Sequence, residues 1–236
     1  MTSLLIGCPV TNRAWVLSTW FEYVRVACEQ ADLCPEFIFV CPRWDTETQD
    51  LVLAQDADVL LTDEPTPPKA RNWAPPRLHH MVTLRNQLLA QACRQRPEFF
   101  WSLDSDILPA PNALVEVLSV YYSHPDAGAV GMHLYMSSVG REHPSKAMLG
   151  GNAMVFRPVT ETELHGSQKV DVLMGSILMT PQAYHVEYEY HSQGEDVGWA
   201  QACARAGVRF RWAADAMCKH IMTPAQLERV DPRLGW

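Results

Sequence analysis

The sequence predicts a single mixed α/β domain built around a parallel sheet. Continuously apolar runs of strand length, suited to strands covered on both faces, recur through the first half of the chain. Longer segments with apolar residues at helical spacing stand between them. The chain has 236 residues, 47% of them apolar, enough for one proper core. Disordered and fibrous classes are thereby excluded.

Leu4-Leu5-Ile6-Gly7-Cys8, broken by Pro9, reads as the first strand. A helix follows from about Arg13 to Ala31, with Leu17, Phe21, Val24 and Cys28 on one face. Phe37–Cys41, stopped by Pro42, is the second strand, and Asp58–Thr62 the third. Val82–Arg94 is a helix presenting Leu84, Leu88 and Ala92, and it leads to a fourth strand, Phe99–Leu103. Asn112–Tyr122 is the next helix. In the second half, Ala129–Met136 and Val170–Thr180 read as strands. The polar, glycine-containing stretch Ser137–Lys169 between them is expected to hold a mobile loop. Asp196–Ala206 is a helix closed by Gly207. Val208, Phe210 and Trp212 alternate with Arg209 and Arg211 as a half-buried strand that ends by Ala213. No repeat and no linker rich in Pro, Gly or Ser divides the chain.

Charge and cysteine usage narrow the function classes. With 19 basic and 27 acidic residues the net charge is −8, which argues against a general nucleic-acid binder. No window approaches 18 consecutive apolar residues, and Met1-Thr2-Ser3 leads straight into a strand, so neither a membrane span nor a secretory signal is expected. The seven cysteines (8, 28, 34, 41, 93, 203 and 218) are odd in number and contain no Cys-x-x-Cys pair. They are expected to be reduced core residues of a cytoplasmic protein.

Two Asp-x-Asp pairs occur, and position separates them. Asp56-Ala57-Asp58 precedes its strand, whereas Asp104-Ser105-Asp106 follows the strand Phe99–Leu103. Carboxyl ends of strands are where open α/β sheets place ligands. Two carboxylates so spaced can share a hard divalent cation, Mg²⁺ or Mn²⁺; the alternative is an Asx-type turn into the next helix, favoured by Pro109 and Pro111. From Lys69 through Pro97 there are six Lys or Arg, two His and no acid, a local anion site or a solvated helix face. Glu195-Asp196 opens a helix after Gly194, as dipole-complementing acids or as a general base for a hydroxyl. His220 is a half-buried histidine or a third ligand to the same cation.

Taken in order, Leu84-Arg85-Asn86-Gln87-Leu88-Leu89, the strand ending in Asp104-Ser105-Asp106, Glu195-Asp196 and His220 resemble the GT-A glycosyltransferases, particularly family 2. The resemblance spans roughly residues 3 to 222. It implies a single GT-A (Rossmann-like) domain with a central mixed, mostly parallel sheet flanked by helices. Residues 1–108 would form the nucleotide-sugar-binding half and 109–236 the acceptor-side half. It implies that Pro9, Val10, Thr11 and Asn12 lie against the nucleotide, with Arg85 and Asn86 near it. Asp104 would face the ribose or a metal-bound water, beside Ser105; Asp106 and His220 would ligate the metal. Asp196 matches the catalytic base of inverting members, with Glu195 beside it toward the acceptor. There is one departure. Acids that read the nucleobase at the end of the second strand are replaced by Cys41-Pro42-Arg43-Trp44-Asp45, where Asp45 could substitute or Trp44 could stack.

The activity so implied is a metal-dependent, inverting transfer of a hexose or pentose from a nucleotide-diphosphate sugar, a UDP-sugar by preference, to a hydroxyl. The acceptor stays open between a saccharide, a small molecule, a protein and a hydroxymethylated base in viral DNA. DNA would suit Lys69, Arg71 and Arg77 and require base extrusion, for which aromatic side chains are useful; Trp73 lies in that segment, with a surface or core role as its first reading. A nucleotidyltransferase would need a Gly-rich loop after the first strand, and Leu5–Arg13 has one glycine. A non-catalytic nucleotide-sugar-binding domain is the rival from another class.

Overall fold

A computed structural model describes residues 3–63, 74–136, 148–149, 153–154, 167–228 and 230. The chain runs β1 (Ser3–Pro9), α1 (Ala14–Gln30), β2 (Cys34–Pro42), α2 (Thr46–Leu53), β3 (Asp58–Thr62), α3 (Pro75–Gln95) and β4 (Phe99–Leu103). It continues β5 (Ile107–Pro109), α4 (Ala113–Ser123), β6 (Ala127–Met136), β7 (Met148–Leu149), β8 (Ala153–Met154), β9 (Ser167–Val170), β10 (Val172–Leu173) and β11 (Ser176–Met179). Last come α5 (Pro181–Tyr184), α6 (Glu195–Arg205), β12 (Arg209–His220) and α7 (Pro224–Leu227).

Nine strands form one sheet in the order β3-β2-β1-β4-β11-β6-β12-β5, with β9 also on β12. β3, β2, β1 and β4 are mutually parallel, β11 is antiparallel to both its neighbours, and β6 and β12 are again parallel. Six of the nine (β1, β2, β3, β4, β6, β12) therefore run one way. The fold is α/β with a mixed, mostly parallel sheet, as the sequence predicts.

Strand alternation explains the apolar runs. Along β1, Leu4, Ile6 and Cys8 enter one core and Leu5 the other; along β2, Phe37, Phe39 and Cys41 oppose Ile38 and Val40. The first core packs under α1 and α4, the second under α3, α5 and α6. A strand sandwiched in this way has no solvated face to mark with polar residues. Gly7 is required by close approach, since a Cβ there would stand 2.4 Å from the Phe100 ring.

Four elements differ from expectation. The third helix begins at Pro75, well before Val82, because Pro75-Pro76 occupy its first turn, where no N–H is needed. The stretch Val170–Thr180 is three short strands, broken at Asp171 and at Met174-Gly175, where Gly175 takes φ +72°. The last strand does not end near Ala213. A register shift between Ala213 and Met217 absorbs Ala214-Asp215-Ala216, and β12 continues to His220. Finally, Ile107–Pro109 is an edge strand on β12, not only a lead into α4. Of the expected loop Ser137–Lys169, residues 153–154 pair with β10 and residues 148–149 with 153–154 as a small antiparallel sheet, and residues 167–169 belong to β9. The rest of that loop lies outside the described residues. The closure of α6 holds: Gly207 (φ +77°) follows the C-cap, and Val208 N–H reaches Cys203 C=O at 2.9 Å in a Schellman arrangement.

Candidate functional site

The carboxyl ends of β1 and β4 are adjacent in the sheet, and the chain leaves both into a cleft of about 250 Å³. Pro9, Val10, Thr11 and Arg13 come from the loop after β1, and Asp104, Ser105 and Asp106 from the turn after β4. Arg77, His80, Met81 and Leu84 enter from α3. The Asp-x-Asp turn is fixed by its backbone. Asp104 N–H donates to Gly175 C=O at 2.9 Å, Ile107 N–H to Asp104 C=O at 3.1 Å, and Ile221 N–H to Asp106 C=O at 2.7 Å. Trp20 Nε1 donates to the Asp104 carbonyl at 3.1 Å. The left-handed Gly175 aims its carbonyl at that turn, and any side chain there would press on Ile107 at 2.8 Å.

Arg85 organises the interior wall. It is 3% exposed, and its guanidinium contacts Asp104 Oδ1 at 3.0 Å, Ser102 Oγ at 3.3 Å and Glu195 Oε1 at 3.4 Å. The Tyr188 ring covers it at 5.6 Å. One buried cation thus links the turn after β4 to the acids opening α6. Burial works against the Arg85 charge, yet Asp104, Asp196, Tyr188 and Glu195 together hold its pKa well above the ordinary value. Burial pushes the Asp104 carboxyl up; Arg85 opposes this, while Asp106 and Glu195 reinforce it. Asp196 is raised well above the usual range by burial and by neighbouring Glu195, against the pull of Arg85. Its Oδ1 is buried with no hydrogen-bond partner among the described residues, whereas Glu195 is tied to Arg85.

Asp106 carries the opposite balance. Arg13 Nη2 donates to its Oδ2 at 2.7 Å, and His220 Nε2 lies 3.5 Å from Oδ1. Burial alone would raise the Asp106 carboxyl; the His220 hydrogen bond and charge, with Arg13, bring it below its ordinary value. Burial alone would lower His220, but the Asp106 hydrogen bond and charge outweigh it and raise the imidazole. Among the described residues no three His, Cys, Asp or Glu side chains are gathered into a preformed metal nest. The donor chemistry still suits a divalent cation: Asp106 already draws the Arg13 guanidinium and the His220 imidazole, with a second carboxylate, Asp104, two residues away. Mg²⁺-type ions commonly take one or two protein ligands and complete their shell with phosphate and water.

Two expected nucleotide contacts have other partners. The Asn86 side chain brackets the Tyr188 backbone, donating to its C=O at 3.0 Å and accepting its N–H at 2.7 Å. Asp45 caps α2 through Thr48 N–H and accepts the Asn12 N–H at 2.5 Å. Asn12 there takes φ +54°, a conformation Asn tolerates. Trp44 beside it is 54% exposed. Among its described residues, the acid-free segment does not form one basic strip. Arg77 and buried Arg85 stand at the site, while Arg94 and Arg96 lie at the far end of the 21-residue α3, about 25 Å along its axis from Arg77. Lys69, Arg71 and Trp73 lie outside the described residues. Arg13, Ser102, Gly175 and Tyr188 were not legible as site residues. Only Arg13, one residue past the Pro9–Asn12 loop, carried a signal that could have been used.

No protein-family model and no curated protein matches the sequence. Solved structures do match. Residues 1–349 of TarS from S. aureus, in complex with UDP-GlcNAc, superimpose with TM-score 0.61 and 13% identity, covering 94% of this chain and 59% of that one. A mycobacterial protein gives TM-score 0.57 and 13% identity over 95% of this chain and 69% of its own. A197 from STIV gives 0.50 and 12%, over 95% and 87%. The chain therefore spans about three fifths of the TarS structure it matches. At these identities the likeness is one of fold, and the fold is that of the GT-A glycosyltransferases.

Proposed function

We propose that the protein is a metal-dependent, inverting glycosyltransferase that moves a hexose or pentose from a nucleotide-diphosphate sugar, a UDP-sugar by preference, to a hydroxyl acceptor. The observation that carries this reading is the buried chain Asp104–Arg85–Glu195. It ties the strand-end carboxylates of the cleft to the acids at the start of α6, a donor side and an acceptor side held in one rigid network. The UDP-GlcNAc complex of the structurally similar TarS supports the donor class.

The Pro9–Asn12 loop and Ser105 line the nucleotide's path, and exposed Trp44 offers a face for its base. Asp45 acts through the loop, holding the Asn12 backbone. Asp106 and His220, with Asp104 alongside, would hold Mn²⁺ or Mg²⁺, which when bound supplies Lewis-acid stabilisation of the departing diphosphate. Arg77 adds positive charge on the same side of the cleft. Asp196 takes the acceptor proton. Burial and Glu195 raise its pKa, which makes the carboxylate more basic, and its Oδ1 has no hydrogen-bond partner among the described residues to compete with a hydroxyl. Arg85 and Glu195 are positioning residues; Asn86 positions Tyr188 over Arg85. For the acceptor we favour a saccharide over DNA. His79 and Tyr190 stack at 4.1 Å with Tyr190 40% exposed, a flat face for a sugar ring, and Arg94 and Arg96 are too remote to extend a phosphate track.

The test is a matrix of nucleotide sugars and saccharide or hydroxymethylated-DNA acceptors, scored by released nucleoside diphosphate with and without Mn²⁺. Acceptor-stimulated release, lost in Asp196→Asn and in chelator, is expected. Release unchanged by both would overturn the assigned roles.

A further inference from the structure

The contact between Arg13 and Asp106 is not used by the chemistry above. Arg13 precedes α1, and its backbone N–H is anchored on Thr48 Oγ1 at 3.4 Å. From there its side chain reaches 93 residues along the chain to Asp106 Oδ2 at 2.7 Å, with its guanidinium over the Trp15 ring at 5.7 Å. Arg13 lines the cleft, and its side chain is 28% exposed against 14% for Asp106.

This geometry sets a guanidinium and a metal ion in competition for the charge of one carboxylate, as like charges that repel each other. A divalent cation of the Mg²⁺ class would sit about 2.1 Å from its carboxylate ligand, and a guanidinium 2.7 Å from the same oxygen would face it at close range. Arg13 cannot deprotonate to relieve that repulsion, so the relief is to move away. It has a destination. Its stem is long, it faces the cleft, and a fork of N–H donors fits the paired oxygens of a diphosphate as well as a carboxylate.

We propose that Arg13 is an exchanging counter-cation. It neutralises Asp106 before the donor binds, and moves onto the diphosphate of a nucleoside-diphosphate ligand when a divalent cation takes its place on Asp106. The proposal rests on the nucleotide-sugar reading of this cleft and deepens it. Metal and donor then bind as a coupled pair: each makes the exchange easier for the other, and the coupling is reciprocal. No bond is made or broken in this step.

Exchange has a signature that a structural role lacks, because removing the Arg13 charge acts in opposite directions on the two ligands. Full-length wild type is compared with Arg13→Met, which keeps an unbranched stem against Trp15, and with Arg13→Lys, which keeps a point charge without the fork. Mn²⁺ affinity is read without nucleotide from the electron paramagnetic resonance signal of free Mn²⁺. UDP affinity is read by calorimetry at saturating Mn²⁺, and circular dichroism checks the fold. Arg13→Met is expected to bind Mn²⁺ about tenfold more tightly and UDP about tenfold more weakly, with Arg13→Lys between it and wild type on both scales. If both affinities shift the same way in Arg13→Met, or Mn²⁺ affinity is unchanged, the exchange is refuted while the nucleotide site stands. If Arg13→Met misfolds, equal Mn²⁺ affinity in Arg13→Lys and wild type refutes it. If UDP binds none of the three proteins even with Mn²⁺ present, the nucleotide-sugar reading fails and takes the exchange with it.

Discussion

Replacing Arg85 by Met should do more damage than any other single change at this site. The variant keeps most of the side-chain stem but removes the guanidinium from a residue only 3% exposed. Lost with it are the contacts to Asp104 at 3.0 Å, Ser102 at 3.3 Å and Glu195 at 3.4 Å, and the cation–π contact with Tyr188. The larger cost is what remains, since Asp104, Glu195 and Asp196 would share a pocket with no cation between them. Removing one partner of a buried ion pair costs about 3–5 kcal/mol. For a chain of this size that corresponds to a melting temperature roughly 6–20 °C lower. The pH dependence follows by sign. Asp104 and Asp196 are already raised by burial, and Arg85 holds both down; without it both rise further. A carboxyl with a higher pKa folded than unfolded binds more protons in the folded state between the two values, so stability falls as pH rises through that window. The deficit of the variant should therefore be larger at pH 8 than at pH 5. Thermal melts of both proteins across that range are the assay. A variant melting within 2 °C of wild type at pH 8, or a deficit that shrinks as pH rises, would refute the reasoning.

Asp196→Asn keeps the helix start but cannot accept a proton, so turnover should fall by about 10²–10⁴-fold with donor affinity nearly unchanged; paired kinetic and donor-binding measurements check it. Gly198→Ala would place a methyl 1.9 Å from the Glu189 carbonyl oxygen, a backbone atom that cannot swing aside. A loss of about 1–3 kcal/mol by urea denaturation is expected, as the Glu189–His191 segment is pushed off α6. Asp45→Ala removes the α2 cap and the tether to Asn12, for about 1–2 kcal/mol of stability together with weaker nucleotide binding. Trp44→Ala, by contrast, should weaken nucleotide binding with no shift in melting temperature, because the ring is 54% exposed.

What could be read in advance follows from how local each signal is. β1, β2 and β4 stand out as apolar runs because both of their faces are buried, and Gly207 marks the end of α6 by one residue's conformation. The start of α3 was hidden because proline is read as a stop, although the first helical turn accepts it. The far half of β12 was hidden because the bulge at Ala214–Ala216 breaks the alternation that defines a half-buried strand. That bulge is what carries His220 to Asp106. Arg85, Asp104, Asp106, Glu195 and Asp196 could be singled out by type and by place on their elements. Their pairing could not, because Arg85 and Glu195 meet only through packing across 110 residues of chain. Arg13 offered only its place one residue past the Pro9–Asn12 loop, and Gly175 no pattern at all. One acts through a side chain crossing between loops, the other through a carbonyl aimed by a single left-handed residue.

The central claim is that this cleft receives a nucleotide-diphosphate sugar at the Asp104–Asp106 turn. Ligand-observed NMR of a panel of nucleotide sugars, with Mg²⁺ present, tests it most directly on wild type and on Asp106→Ala. Saturation transfer is expected to the nucleotide and sugar protons of at least one donor, a UDP-sugar first, displaced by UDP and lost in Asp106→Ala. Transfer of equal strength to the folded Asp106→Ala variant, or no transfer from wild type to any member of the panel, would contradict it.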